Sequence, residues 1–116
     1  MNPFEGVEFS VRPVNKSWKR VNLLSGGEKT FTSLALIFAC EEIKKFPFYF
    51  MDEIDAALDY KNTTLLAQYV KEKTGTQHIV ISLRKNMYQE SNRIVGIYKV
   101  KDQSRTVEFG MQELRK

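Results

Sequence analysis

The 116-residue sequence has one cysteine, one histidine, one tryptophan and three prolines. A lone Cys40 cannot close a disulfide within the chain, and a reduced, intracellular setting is the expectation. The longest apolar run, residues 34–40, is far too short to cross a bilayer. No charged-then-apolar leader precedes it, so neither a membrane nor export is expected. His78 has no second histidine beside it to build a base or a metal site, and it reads as a structural or surface residue. No glycine-rich loop of the form G-x-x-x-x-G-K-[ST] occurs, so that type of phosphate cradle is missing. There is no repeat, low-complexity tract, linker or heptad-rich segment.

What is present suits a soluble globular class: 42% apolar residues and 28% charged ones, enough for one domain with a single core. The net charge is +4, but the lysines and arginines are scattered, which describes a solvated surface better than a dedicated nucleic-acid groove.

Residues 7–11 alternate apolar and polar, the period of a half-buried strand. Pro13 and Asn15 break it, and residues 18–21 can return as a second strand of a meander, with Trp18 packed inside. From Gly26 to about Lys45 the period is helical. Phe31, Leu34, Ala35, Phe38 and Ile43 make one face; Leu36, Ile37, Ala39 and Cys40 extend apolar character nearly all round, which predicts burial on more than one side. Pro47 stops this helix. Residues 48–51 then form an unbroken apolar run, as in a central parallel strand covered on both faces. A second helix is predicted over residues 61–73, with Leu65, Leu66, Tyr69 and Val70 inward and Gly75 as its stop. A strand over 78–83, a short helix over 85–92 and strands over 94–100 and 105–109 complete the chain. Strand and helix alternate from Gly26 onward, so the expected fold is α/β, a mainly parallel sheet flanked by helices with β meander or hairpin structure at the ends.

Two clusters could carry chemistry. Asp52 and Glu53 follow directly on the apolar run, and ligands of open α/β sheets collect at the carboxyl ends of parallel strands. Neighbouring strand residues point to opposite sides, so two adjacent acids can take different tasks, one near a metal ion and one activating water. Taken alone, the pair reads equally as acids opening a turn. The second cluster is LSGGEK at residues 24–29. Ser25 followed three residues later by Glu28 is a capping box, which accounts for both. It leaves Gly26 and Gly27 unexplained, since each costs roughly 1 kcal/mol against Ala in a helix. A helix start offers free N–H groups and partial positive charge, and glycines there let a phosphate reach the backbone.

LSGGEK resembles the signature motif of ATP-binding-cassette ATPases, and FYFMDEIDAALD at residues 48–59 resembles their Walker B strand followed by the D-loop. In this order, joined by one helix, and with Ile54 where transporters usually carry proline, they resemble the structural maintenance of chromosomes (SMC) family over essentially the whole chain. The flanks, residues 9–30 and 80–99, are most similar to the type 4 branch of the condensin subunits, with cohesin's type 1 branch as runner-up.

That resemblance implies the carboxy-terminal lobe of an ATPase head spanning residues 1–116, with the amino-terminal lobe and the coiled coil absent. Two heads of the family sandwich two ATP molecules. Glu53 would be the catalytic base and Asp52 would hold Mg2+, through water, on ATP of its own head. Ser25, Gly26, Gly27 and Glu28 would reach ATP held by the partner head, and Asp59 of the D-loop would touch across the same interface. Leu83 occupies the position where cassette ATPases commonly place a switch histidine. The implied partners are a type 2 SMC subunit, a kleisin, the amino-terminal lobe of the same protein and DNA, on chromosomes in the nucleus. As an isolated piece the chain reads alternatively as a non-catalytic module that holds a kleisin or a partner head, and a DNA-repair SMC relative is a further rival. Arg84 and Lys85, following a strand near the presumed nucleotide edge, read as a solvated loop in preference to a phosphate or DNA contact.

Overall fold

The computed structural model describes residues 6–111. Where the sequence predicts one core, the chain forms two compact units. The first comprises the described residues up to 46 together with 57–59; the second comprises residues 47–56 and those from 60 onward. The buried hydrophobic side chains divide the same way, with Leu24, Leu34, Phe38 and Leu58 in the first and Met51, Leu66, Ala67 and Met87 in the second.

In the first unit β1 (Ser10–Val11) pairs antiparallel with β2 (Lys19–Arg20), Ser10 opposite Arg20. The meander is present but shorter than the alternation suggests. Between the strands Asn15 adopts a left-handed φ of 62° and the Lys16 N–H bonds the Pro13 carbonyl at 3.0 Å, a turn where Pro13 and Asn15 predict the break. Trp18 is 70% exposed and does not pack the meander. After a single 3-10 turn at Val21–Leu23, helix α1 runs over Gly26–Ile43. It ends as predicted before Pro47, whose ring and missing N–H cannot continue a helix. Burial on α1 is confined to Leu34, Phe38 and Glu41, an i, i+4, i+7 stripe. Leu36, Ile37 and Ile43 are 46%, 47% and 89% exposed, so the expected burial on several sides is not found. The reason is supply: Leu24 and Leu58 are the other buried hydrophobics of this unit, enough to cover one stripe.

In the second unit β3 (Phe48–Asp52) pairs parallel with β4 (Gln77–Ile81), from Phe48 opposite Gln77 to Asp52 opposite Ile81. Between them α2 (Tyr60–Glu72) makes the crossover that a parallel pair requires. Period-2 geometry puts Tyr49, Met51, His78 and Val80 on one face, all buried or half-buried. Phe48, Phe50, Ile79 and Ile81 take the other, 58%, 64%, 39% and 45% exposed. The apolar strand is therefore covered on one face, not two. Inward positions of α2 are Thr63, Leu66 and Ala67; Leu65 points outward at 46% exposure, against expectation. Gly75 ends the region with a φ of 85°, as its position after the helix predicts.

Helix α3 spans Lys85–Tyr88, half the expected length. Asn86 ties it to α2, donating at 3.0 Å to the Tyr60 carbonyl and at 3.0 Å to Thr64 Oγ1. Strands β5 (Arg93–Val100) and β6 (Gln103–Gly110) form an antiparallel hairpin closed by Lys101 and Asp102, both at positive φ. The described strands thus make three two-stranded sheets, one parallel and two antiparallel. The mainly parallel sheet of the sequence reading is realised as the β3–β4 pair alone. No helix of the described residues is long and apolar enough to cross a membrane.

Candidate functional site

The acid pair lies where the strand reading puts it. Asp52 is the last residue of β3 and Glu53 the first beyond it, and both are exposed at the carboxyl end of the parallel pair. Glu53 has a φ of 46°, the left-handed region that a residue with a Cβ rarely enters. Its N–H nevertheless continues the ladder, bonding the Ile81 carbonyl at 3.0 Å, and its carbonyl accepts from Ala56 N–H at 3.1 Å. The backbone therefore turns sharply at Glu53 without losing its hydrogen bonds.

Asp55 is 2% exposed and accepts a hydrogen bond from Ser82 Oγ. Ser82 Oγ accepts in turn from the Arg84 N–H at 3.0 Å, and Arg84 Nη2 donates to the Ala56 carbonyl at 3.1 Å. Arg84 is thus engaged, where the sequence reads a solvated loop. Leu83, which the sequence resemblance aligns with a switch histidine, is 88% exposed. Neither Asp55 nor Ser82 is singled out by the sequence reading. The available signal was a short polar residue shortly after each of the two apolar strands, Asp55 three residues past β3 and Ser82 next after β4, where a buried turn must find hydrogen-bond partners.

Among the described residues no group of three or more histidine, cysteine, aspartate or glutamate side chains could enclose a metal ion. Mg2+ is usually held by one or two carboxylates together with phosphate oxygens and water. Asp52, exposed at a strand end, is a donor of that kind. His78, the only histidine, stacks on Tyr49 with ring centroids 5.7 Å apart and an interplanar angle of 12°, a packing role.

The second cluster belongs to the first unit. Ser25 caps α1 with a complete capping box: Glu28 N–H donates to Ser25 Oγ at 3.3 Å, and Ser25 N–H donates to Glu28 Oε2 at 3.1 Å. The Ser25 hydroxyl also donates to Glu28 Oε2 at 3.1 Å, while Lys16 Nζ sits 2.5 Å from Glu28 Oε1. The hydrogen bond from Lys16, then that from the Ser25 N–H, hold the Glu28 carboxyl down from 4.5 to about 2. The glycines separate into two cases. A Cβ on Gly26 would meet nothing within 4 Å, leaving open space at the helix start. A Cβ on Gly27 would lie 2.9 Å from the Ala57 carbonyl oxygen, so Gly27 is required by the chain's own backbone. Asp59 follows in the same unit, in residues 57–59. Ser25, Gly26, Gly27, Glu28 and Asp59 are thus brought into one unit, and Asp52, Glu53 and Leu83 into the other.

Residues 14–106 match the RecF/RecN/SMC N terminal domain family. The chain is 57% identical over 108 residues to structural maintenance of chromosomes protein 4 of Caenorhabditis elegans, covering 91% of this chain and 7% of that protein. It is 53% identical over 116 residues to the protein of the same name in Homo sapiens, covering 98% of this chain and 9% of that one. It therefore spans under a tenth of the length of these curated relatives. Among solved structures, it is 38% identical to a chain from work on ATP-driven dimerization and DNA stimulated activation of SMC ATPases, with a TM-score of 0.86 over 99% of this chain and 77% of that one. An SMC head of Pyrococcus furiosus, with an extended coiled coil and bound to the C-terminal domain of ScpA, is similar at 38% identity. Its TM-score is 0.88, with 95% of this chain and 28% of that one covered. The chain belongs to the SMC family and has the mixed α/β fold of the SMC ATPase head.

Proposed function

We propose that residues 1–116 are the carboxy-terminal lobe of a condensin-type SMC ATPase subunit of the type 4 branch, contributing half of each of two composite ATP sites. The observation that carries the reading is the acid pair at the carboxyl end of a parallel strand, with Glu53 held in a left-handed turn. The absence of a phosphate loop from the same sequence supports the partition, since the nucleotide must then be cradled by residues outside these.

Asp52 would hold Mg2+ through water, and the ion would supply neutralisation of charge on the phosphate oxygens. Glu53 orients the attacking water and takes its proton. The α1 start, with open space over Gly26, receives the γ-phosphate of a nucleotide carried by a partner head, the Ser25 hydroxyl turning from Glu28 toward it. Asp59 contacts the partner head. Hydrolysis removes the bridging phosphate and releases the heads, so chemistry switches association. The partners of the complete protein are a type 2 SMC subunit, the amino-terminal lobe, a kleisin docking near the terminal strands, and DNA, in the nucleus on chromosomes. Identity to type 4 relatives above 50% over 108 and 116 residues favours this branch over the cohesin alternative.

The test is a head pair rebuilt with the amino-terminal lobe and a type 2 partner. Ser25→Arg is expected to abolish ATP-dependent engagement, whereas Glu53→Gln traps engaged heads with little hydrolysis. Wild-type turnover by Glu53→Gln removes the base assignment. Hydrolysis by the 116-residue chain alone removes the claim that it holds half a site.

A further inference from the structure

We infer that Ser82, Asp55 and Arg84 are positioning residues that hold Glu53 in its left-handed turn, an inference that rests on Glu53 being the base. A left-handed φ of 46° on a glutamate persists only when its surroundings over-determine it. The structure supplies those surroundings from one place. Residues 53, 55 and 56 are each fastened to the last residue of β4 or to the segment just after it: Glu53 N–H to the Ile81 carbonyl, Asp55 to Ser82 Oγ, and the Ala56 carbonyl to the Arg84 guanidinium. Ser82 is the hinge of this clamp, because its single oxygen donates to Asp55 and accepts from the Arg84 N–H.

Burial gives the clamp its rigidity. Asp55 is 2% exposed, and a buried carboxylate without its hydrogen bond is costly, so the turn cannot relax by rotating Asp55 away from Ser82. A network that only stabilised the fold could as well have been apolar, like the neighbouring Met51. Hydrogen bonds are directional, and direction is what a base needs: a misplacement of about 1 Å can cost ~100-fold in rate. Leu83, between the two clamp residues, is 88% exposed, so the fastening falls to its neighbours on either side.

The experiment uses the complete head pair. Ser82→Ala should lower kcat by roughly 10- to 100-fold with KM for ATP changed less than about twofold, the signature of a lost transition-state arrangement. Ser82→Thr, which keeps the hydroxyl, should restore most of kcat, and Arg84→Ala should lower kcat by a smaller factor. In the Glu53→Gln background, Ser82→Ala should cause no further loss, because both act through one group. Wild-type kcat in Ser82→Ala, or a full additional loss in the double variant, overturns the inference while leaving Glu53 as the base. If Ser82→Ala does not fold, Arg84→Ala decides: unchanged kcat overturns the clamp. Wild-type turnover in Glu53→Gln instead sinks the base assignment itself, a result read independently of Ser82.

Discussion

The Ala57 carbonyl occupies the space that a side chain on Gly27 would need, 2.9 Å from where its Cβ would stand. Helix propensity alone would favour alanine over glycine here by roughly 1 kcal/mol. The close approach reverses that sign, since a backbone carbonyl cannot swing away as a side-chain tip can. Gly27→Ala should therefore destabilise the fold by about 1–3 kcal/mol, the usual cost of overpacking. Gly26→Ala, with open space around it, should be neutral or slightly stabilising in denaturant unfolding. Only its effect on ATP-dependent engagement should be adverse.

The Glu28 carboxyl supplies a pH dependence. Its folded value of about 2 lies below the ordinary 4.5, so its contribution is present above pH 4.5 and is lost as pH falls to about 2. Glu28→Gln should narrow the stability gap to wild type across that window and leave it constant above. Because Glu28 and Lys16 are solvent-accessible, added salt should weaken the effect, which acid titration of thermal unfolding at two ionic strengths would read. Ser25→Ala, by removing the cap oxygen, should cost about 1 kcal/mol above pH 4.5, and less as Glu28 is protonated, because the same hydroxyl donates to its carboxylate.

Local physics was legible in the sequence. The Ser25–Glu28 capping box lies three residues apart, and the stops at Pro47 and Gly75 act on their own backbone. So was the acid pair at the carboxyl end of β3. What was not legible depends on pairs distant in the chain. Gly27 had a local reading, phosphate access, and a second reason in the distant Ala57 carbonyl. Asp55 finds Ser82 across 27 residues, which no periodicity announces. Strand Phe48–Asp52 is apolar on both faces, but composition cannot say whether this chain covers both.

That uncovered face makes its own prediction. Phe48, Phe50, Ile79 and Ile81 share one side of the β3–β4 pair and are all at least 39% exposed, a contiguous apolar surface of the kind that soluble monomers seldom present. The isolated chain should bind a hydrophobic dye and self-associate on size-exclusion chromatography. Phe48→Ser with Phe50→Ser should reduce both while leaving unfolding stability within about 1 kcal/mol, because these side chains lose little burial. Unchanged dye binding in the double variant would place the apolar surface elsewhere.

The β5–β6 hairpin carries a correctable strain. Lys101 and Asp102 both adopt positive φ, 45° and 61°, between the paired Val100 and Gln103. A two-residue turn with both centres left-handed is the mirror-image type that suits the right-handed twist of strands, and it favours Asn-Gly. Lysine gains nothing from that conformation, whereas asparagine tolerates it and glycine has no Cβ to clash. Lys101→Asn with Asp102→Gly should raise unfolding stability by about 1 kcal/mol. The change removes the Lys99–Asp102 ion pair at 3.1 Å, but Asp102 is 96% exposed there and such pairs contribute little. Lys101→Val should act in the opposite direction, since a β-branched side chain is least able to enter the left-handed region. Equilibrium unfolding of the two variants against wild type decides it, and a loss of stability in the Asn-Gly variant would mean that the ion pair outweighs the backbone.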